Sequence, residues 1–234
     1  LSDVPATLDR VRPYGVDPDG ACFFTQTCSY TLFAGARGQF AVLGAPAYAA
    51  AGCSGSYHRS WIVVRDVSYV RTLEDLRGKR FTINELDSNS GMNLPRHRFA
   101  RYASNGAFFG ATTVSGSHAA SADLVSRGVA DAAAIDCVTF ALLERYRPAT
   151  IRRLRIIGET AATPTPPFVT SRSTRLADVL AMRDAIEAYF ADPAHTRTRE
   201  ALLLAGFGTG DESDYKIVMD LERDAQRRGY PVLR

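Results

Sequence analysis

Apolar residues fall into short, nearly unbroken runs separated by polar tips, the pattern of strands covered on both faces. Residues 21–24 (ACFF) form the first run and end in the tip TQTCSY, while QFAVLGAPAY and SWIVVRD supply two more. From residue 73 the rhythm becomes strand and helix in alternation. LEDLRGK predicts a short helix stopped by Gly78, RFTIN a strand, residues 92–103 a helix and ATTV a strand. SHAASADLVSRG then predicts a helix with a glycine stop, DAAAI a strand, CVTFALLERY a helix and RLRIIGE a strand. Such a series with short connections is the mark of a doubly wound α/β sheet.

The pattern breaks at AATPTPPF, residues 161–168, where three prolines impose a stiff, extended segment. Beyond it the spacing predicts helices only, near 175–191, 195–205 and 212–229, the first with Val179, Met182, Ile186 and Tyr189 at helical intervals. Helices without strands of their own must cover a sheet made earlier. The expected organisation is therefore two doubly wound lobes with two crossings: residues 1–80 and 161–234 form lobe 1, and 81–160 form lobe 2. Residues 1–20, with three prolines and two glycines, show no lasting periodicity.

Composition narrows the function classes. A chain of 234 residues, 46% hydrophobic and 23% charged, has the make-up of a folded globular protein. The formal charge of +3 comes from 28 basic and 25 acidic residues, and runs such as Arg152, Arg153 and Arg155 are too short for a nucleic-acid footprint. No run reaches the roughly 18 apolar residues that span a bilayer. The opening LSDVPATLDR is neither a signal h-region nor a cleavage site, so an exported form has its leader removed or upstream. The four cysteines, Cys22, Cys28, Cys53 and Cys137, match neither a zinc module nor a CxxC pair. Cys28 and Cys53 either form one disulfide where two loops meet or remain packed thiols.

Candidate chemistry gathers in the polar turns. In DSNSGMN, Ser88, Asn89 and Ser90 stand at the mouth of a helix, where unpaired amides and the helix dipole favour an anion. A plain helix cap needs one such residue. Pro95 requires this helix to start tightly or to be displaced. In SGSH, Ser117 is a candidate N-cap and His118 either an oxyanion donor or an exposed histidine. Asp136 follows a strand directly, as an N-cap or as a partner for a cationic group; a carboxylate beside an anion is costly unless something nearby carries positive charge. In the first lobe Thr25, Gln26, Thr27 and Tyr30 lie at a strand end, Tyr57 suits a cleft wall, and His58 beside Arg59 is expected to be solvated. GxSxG, Walker, HExxH and GxGxxG patterns are absent, and the four histidines lack metal-ligand spacing. A non-enzyme without cofactor or metal is expected.

Taken together, QTCSYTLF, APAYAAAGCSGSYHRSWIVVR, LEDLRGKRFTINELDSNSGMN, SGSHAASADLVSRGVADAAAIDCVTF and TPTPPFVTS resemble the phosphate/phosphite/phosphonate-type substrate-binding proteins of ABC importers, with weaker similarity in DYKIVMDLERDAQRRGYPVL. The resemblance implies a type 2 periplasmic-binding-protein fold, a periplasmic or extracytoplasmic location, a small oxyanion ligand and ABC permease subunits as partners, in a monomer that neither binds nucleic acid nor spans a membrane. It implies oxyanion contacts from Ser88, Asn89, Ser90 and His118, an acidic contact from Asp136 that meets an amine in aminoalkylphosphonate binders, and an aromatic contact from Tyr48 or Tyr57. Asn89 departs from the threonine of well-known members. The first lobe's usual opening strand and helix are expected to precede residue 1 or to be replaced. The alternatives are a sensor or scaffold domain, or an enzyme, on the same fold.

Overall fold

The computed structural model describes residues 22–35 and 38–234, so the expectations for residues 1–21 lie outside the described residues. The chain runs through β1 (Thr25–Gln26), a helical turn at Thr31–Gly35, β2 (Phe40–Tyr48), β3 (Tyr57–His58), β4 (Ser60–Arg65) and β5 (Arg80–Ile83). A wide turn at Asn89–Asn93 leads into α1 (Leu94–Ala100), then β6 (Ala111–Val114), α2 (His118–Ser126), β7 (Ala132–Asp136), α3 (Cys137–Tyr146) and α4 (Pro148–Ile151). Next come β8 (Leu154–Glu159), β9 (Thr163–Pro164), β10 (Phe168–Ser171), α5 (Leu176–Ala191), α6 (Thr196–Ala201), β11 (Leu204–Gly208) and α7 (Lys216–Arg227).

These elements build two sheets. The first has the order β1-β10-β2-β11, with antiparallel pairs throughout. The second has the order β6-β5-β7-β4-β8; β5 is parallel to β6 and β7, and β4 is antiparallel to β7 and β8. Between them β3 and β9 pair as a short ribbon, Tyr57 opposite Pro164 and His58 opposite Thr163.

Burial explains why the second sheet is firmly placed. Along β4, Ile62 and Val64 join the core on one face, with Phe81, Phe99 and Val218, while Val63 joins Val125, Leu143 and Ile151 on the other. Alanines 132–134 of β7 are all fully buried, and their small side chains let helices approach both faces. In the first sheet Leu43 packs against Val179 and Met182 of α5, with Ile186 beside them, as the helical spacing predicts.

Three expectations need correction. SWIVVR, placed in the first lobe, is the fourth strand of the second sheet, so the chain leaves the first sheet at the ribbon and not near residue 80. An apolar run buried on both faces fits either sheet, and its sequence says nothing of direction. The last third is not helices only: β10 and β11 complete the first sheet, and LAGFG lacks the β-branched residues that announce a strand. The final segment does not stay with lobe 1. Asn93 donates to the Val218 carbonyl, Arg96 to that of Pro231, and Phe108 N–H to that of Arg234, fastening α7 and its tail to the second lobe. Tyr30 and Arg96 both reach Glu222 of α7, at 2.7 and 3.2 Å, and α7 packs into a core shared by residues of both sheets.

Candidate functional site

Strands β6, β5 and β7 run parallel and end at one edge of the second sheet, the edge at which ligands bind in open α/β sheets. The turns after them carry Ser115–His118, Ser88–Ser90 and Asp136. Ser88 caps the wide turn, its Oγ accepting from Gly91 N–H at 3.0 Å. Pro95 falls in the first turn of α1, where its missing N–H costs little, after a π-type turn that takes up the expected displacement. Ser117 caps α2 by accepting from Ala120 N–H at 3.1 Å, leaving His118 as its first residue. Asp136 caps α3, with Oδ1 accepting from Thr139 N–H at 2.8 Å.

These turns meet in a buried polar cluster. Ser90 Oγ lies 2.8 Å from His118 Nε2, and Ser60 donates to the Ser90 carbonyl at 2.8 Å. Asn89 donates to Thr163 Oγ1 and accepts from Asn93 Nδ2, both at 3.0 Å. A Cβ on Gly91 would lie 1.7 Å from Asn84 Oδ1 and 3.1 Å from His118 Cε1, so only glycine lets the backbone and these two side chains share the space.

His58 is the residue that sequence reasoning misjudged. Expected to be solvated, it is 2% exposed, and its Nδ1 lies 2.5 Å from Asp136 Oδ2. Alternation on a two-residue strand explains this: Tyr57 faces outward, half-exposed, and His58 inward. The one available signal was Asp136, a carboxylate needing a cation. Burial lowers the His58 pKa, but the charge of Asp136 and the hydrogen bond to it outweigh burial and leave it raised. Burial likewise works against the Asp136 carboxylate, yet His58, with His118 and the Thr139 amide, holds its pKa down to about 2. Burial dominates at His118 and pulls it below the ordinary value, so this imidazole is neutral at pH 7. His58 Nε2 and Asn84 Oδ1 are buried without a hydrogen-bond partner, whereas the second His118 nitrogen is turned toward the Ala134 backbone.

The first-lobe candidates are more dispersed. Tyr48 accepts from Gln26 at 3.1 Å, and burial, followed by the influence of Asp136, raises its pKa. Thr25 pairs with Val169 at the sheet edge, and its hydroxyl donates to the carbonyl of Gln26, its neighbour, at 3.5 Å. The Cys28–Cys53 disulfide is not formed. Cys28 Sγ accepts from Asn89 N–H at 3.2 Å, whereas Cys53 lies 3.5 Å from Cys137 Sγ, a neighbour 84 residues away. Ser90 and His118 have the spacing of a nucleophile and base, but Asp136, the acid beside them, is bonded to His58. Among the described residues there is no cluster of metal-ligating side chains, and no helix is long and apolar enough to cross a membrane.

A buried polar cluster between two α/β lobes joined by a short ribbon defines a ligand-capture protein of the type 2 periplasmic-binding-protein fold. The chain belongs to the family of periplasmic substrate-binding proteins of phosphonate ABC transporters, whose model matches residues 24–215. Among solved structures, the binding-protein component of an ABC phosphonate transporter from Pseudomonas aeruginosa superimposes with a TM-score of 0.76 at 22% identity, over 88% of this chain and 69% of that one. A Prochlorococcus marinus binding protein in complex with methylphosphonate gives 0.67 at 17% identity, over 81% and 72%. A Xanthomonas citri protein bound to ATP gives 0.66 at 20%, over 87% and 77%. No curated protein sequence matches.

Proposed function

We propose that this chain captures a small phosphorus oxyanion, a phosphonate or its phosphite or phosphate relative, between its lobes and presents it outside the cytoplasmic membrane to the permease of an ABC importer. The carrying observation is the convergence of Ser88, Asn89, Ser90 and His118 at the carboxyl edge of three parallel strands, with the buried His58 Nε2 left unpaired. Hydroxyl and imidazole groups there can donate to oxyanion oxygens in a water-poor site, where each hydrogen bond is strengthened. The lobes close about the β3–β9 ribbon, and the permease reads the closed form. No bond is broken: the Ser90–His118 couple lacks the orienting acid that acyl transfer requires.

Titration calorimetry with phosphate, phosphite, methylphosphonate and aminoethylphosphonate tests this reading. Saturable heat from at least one supports it, and heat from none of them sinks it.

A further inference from the structure

A carboxylate buried beside an anion site needs a positive charge, and that charge comes either from the ligand or from the protein. Here the protein supplies it. Asp136 Oδ2 lies 2.5 Å from His58 Nδ1, its Oδ1 accepts from Thr139 N–H at 2.8 Å, and both side chains are buried. Among the described residues the groups around the pair are Cys137, which follows in the chain, Cys53, Tyr48 and His118, with Arg59 near Cys53 and its charge already met by Glu159. Asp87, the acid that opens the serine-rich turn, accepts from the Thr31 hydroxyl at 3.3 Å.

We infer that the captured ligand carries no amino group, because the counter-charge to Asp136 is the resident His58 and not a ligand ammonium. This rests on the proposed function and narrows its ligand class to alkylphosphonates, phosphite and phosphate. The imidazolium–carboxylate pair sums to zero charge, so the site neither needs a cation from the ligand nor has spare negative charge to hold one. The remaining His58 nitrogen, Nε2, is buried and unpartnered. As an N–H donor it suits an oxygen and repels an ammonium.

The experiment is titration calorimetry of the full chain at pH 7 with methylphosphonate, phosphite and aminoethylphosphonate, paired with nitrogen NMR of the histidine rings in the ligand-free protein. The expected result is at least tenfold tighter binding of one amine-free ligand than of aminoethylphosphonate, with His58 showing imidazolium shifts. In His58→Gln the ratio moves at least tenfold toward aminoethylphosphonate, since Asp136 is then without its cation. A wild-type preference for aminoethylphosphonate, or a neutral His58 at pH 7, overturns the inference alone. Heat from none of the three overturns it together with the proposed function. The NMR measurement uses the wild-type chain, so a His58→Gln variant that does not fold leaves the inference open to refutation.

Discussion

Ser90 Oγ and His118 Nε2 are 2.8 Å apart, joining the turn after β5 to the first residue of α2. Removing the hydroxyl in Ser90→Ala takes one donor from the proposed oxyanion site and leaves a buried ring nitrogen without its serine partner. Affinity for the best phosphorus oxyanion should fall at least tenfold in calorimetry, with a stability loss of about 1–3 kcal/mol in urea denaturation. Unchanged affinity would place the anion elsewhere. The chain's single tryptophan, Trp61 on β4, is a built-in fluorescent reporter for the unfolding measurement.

Ser88→Ala removes a proposed oxyanion donor together with a cap, so affinity should fall here too. Its Oγ caps the wide turn through Gly91 N–H, so the variant loses about 0.5–2 kcal/mol of stability. A loss below that range would show that another group satisfies this amide.

The His58–Asp136 pair makes stability depend on pH in a defined direction. Asp136 has a folded pKa of about 2 against an ordinary 3.8, so its contribution is present above 3.8 and is lost as pH falls toward 2. The pKa of His58 is raised from 6.5, so its share is complete below 6.5 and is lost as pH rises through the folded value. Both describe one ion pair, worth about 2 kcal/mol and complete between those limits. His118, held neutral, works the other way and costs stability as pH falls below 6.5. Urea unfolding of wild type and Asp136→Asn across pH 3–9 should differ most between about pH 4 and 6.5. Parallel curves at every pH would refute the pair.

Cys53 and Cys137 are free thiols whose sulfurs lie 3.5 Å apart, against about 2.05 Å in a disulfide. The hydrogen bond from Cys53 lowers the Cys137 pKa and raises that of Cys53, so Cys137 is the sulfur that attacks within the pair once Cys53 carries a leaving group. With oxidised glutathione, the partly exposed Cys53 loses its proton and displaces one glutathione thiolate to form a mixed disulfide, since Cys137 is buried. The Cys137 thiolate then attacks the Cys53 sulfur of that bond and releases the second glutathione. A non-reducing peptide map should then show a 53–137 cross-link that Cys53→Ser abolishes. A 28–53 cross-link in its place would contradict the arrangement.

What was legible in the chain was local. Ser117 and Asp136 sit at the helix starts that their types predict, ATTV and AAAI are strands, and Val179 and Met182 face the core. What was not legible needed partners distant in sequence. His58 reads as a polar residue beside arginine until Asp136, 78 positions later, is folded against it. SWIVVR has the composition of any buried strand, and only pairing with β7 and β8 places it in the second sheet. β11 was hidden by its glycines and is held by Ala45–Tyr48 of β2.

Asn89 ties the serine-rich turn to Thr163, and Thr163 is itself paired with His58 in the ribbon between the lobes. On the proposed function, one amide thus serves both the oxyanion surface and the joint about which the lobes turn. A substitution at 89 would then reach ligand choice and hinge stiffness in the same step, so affinity and closure are tied together at this single position.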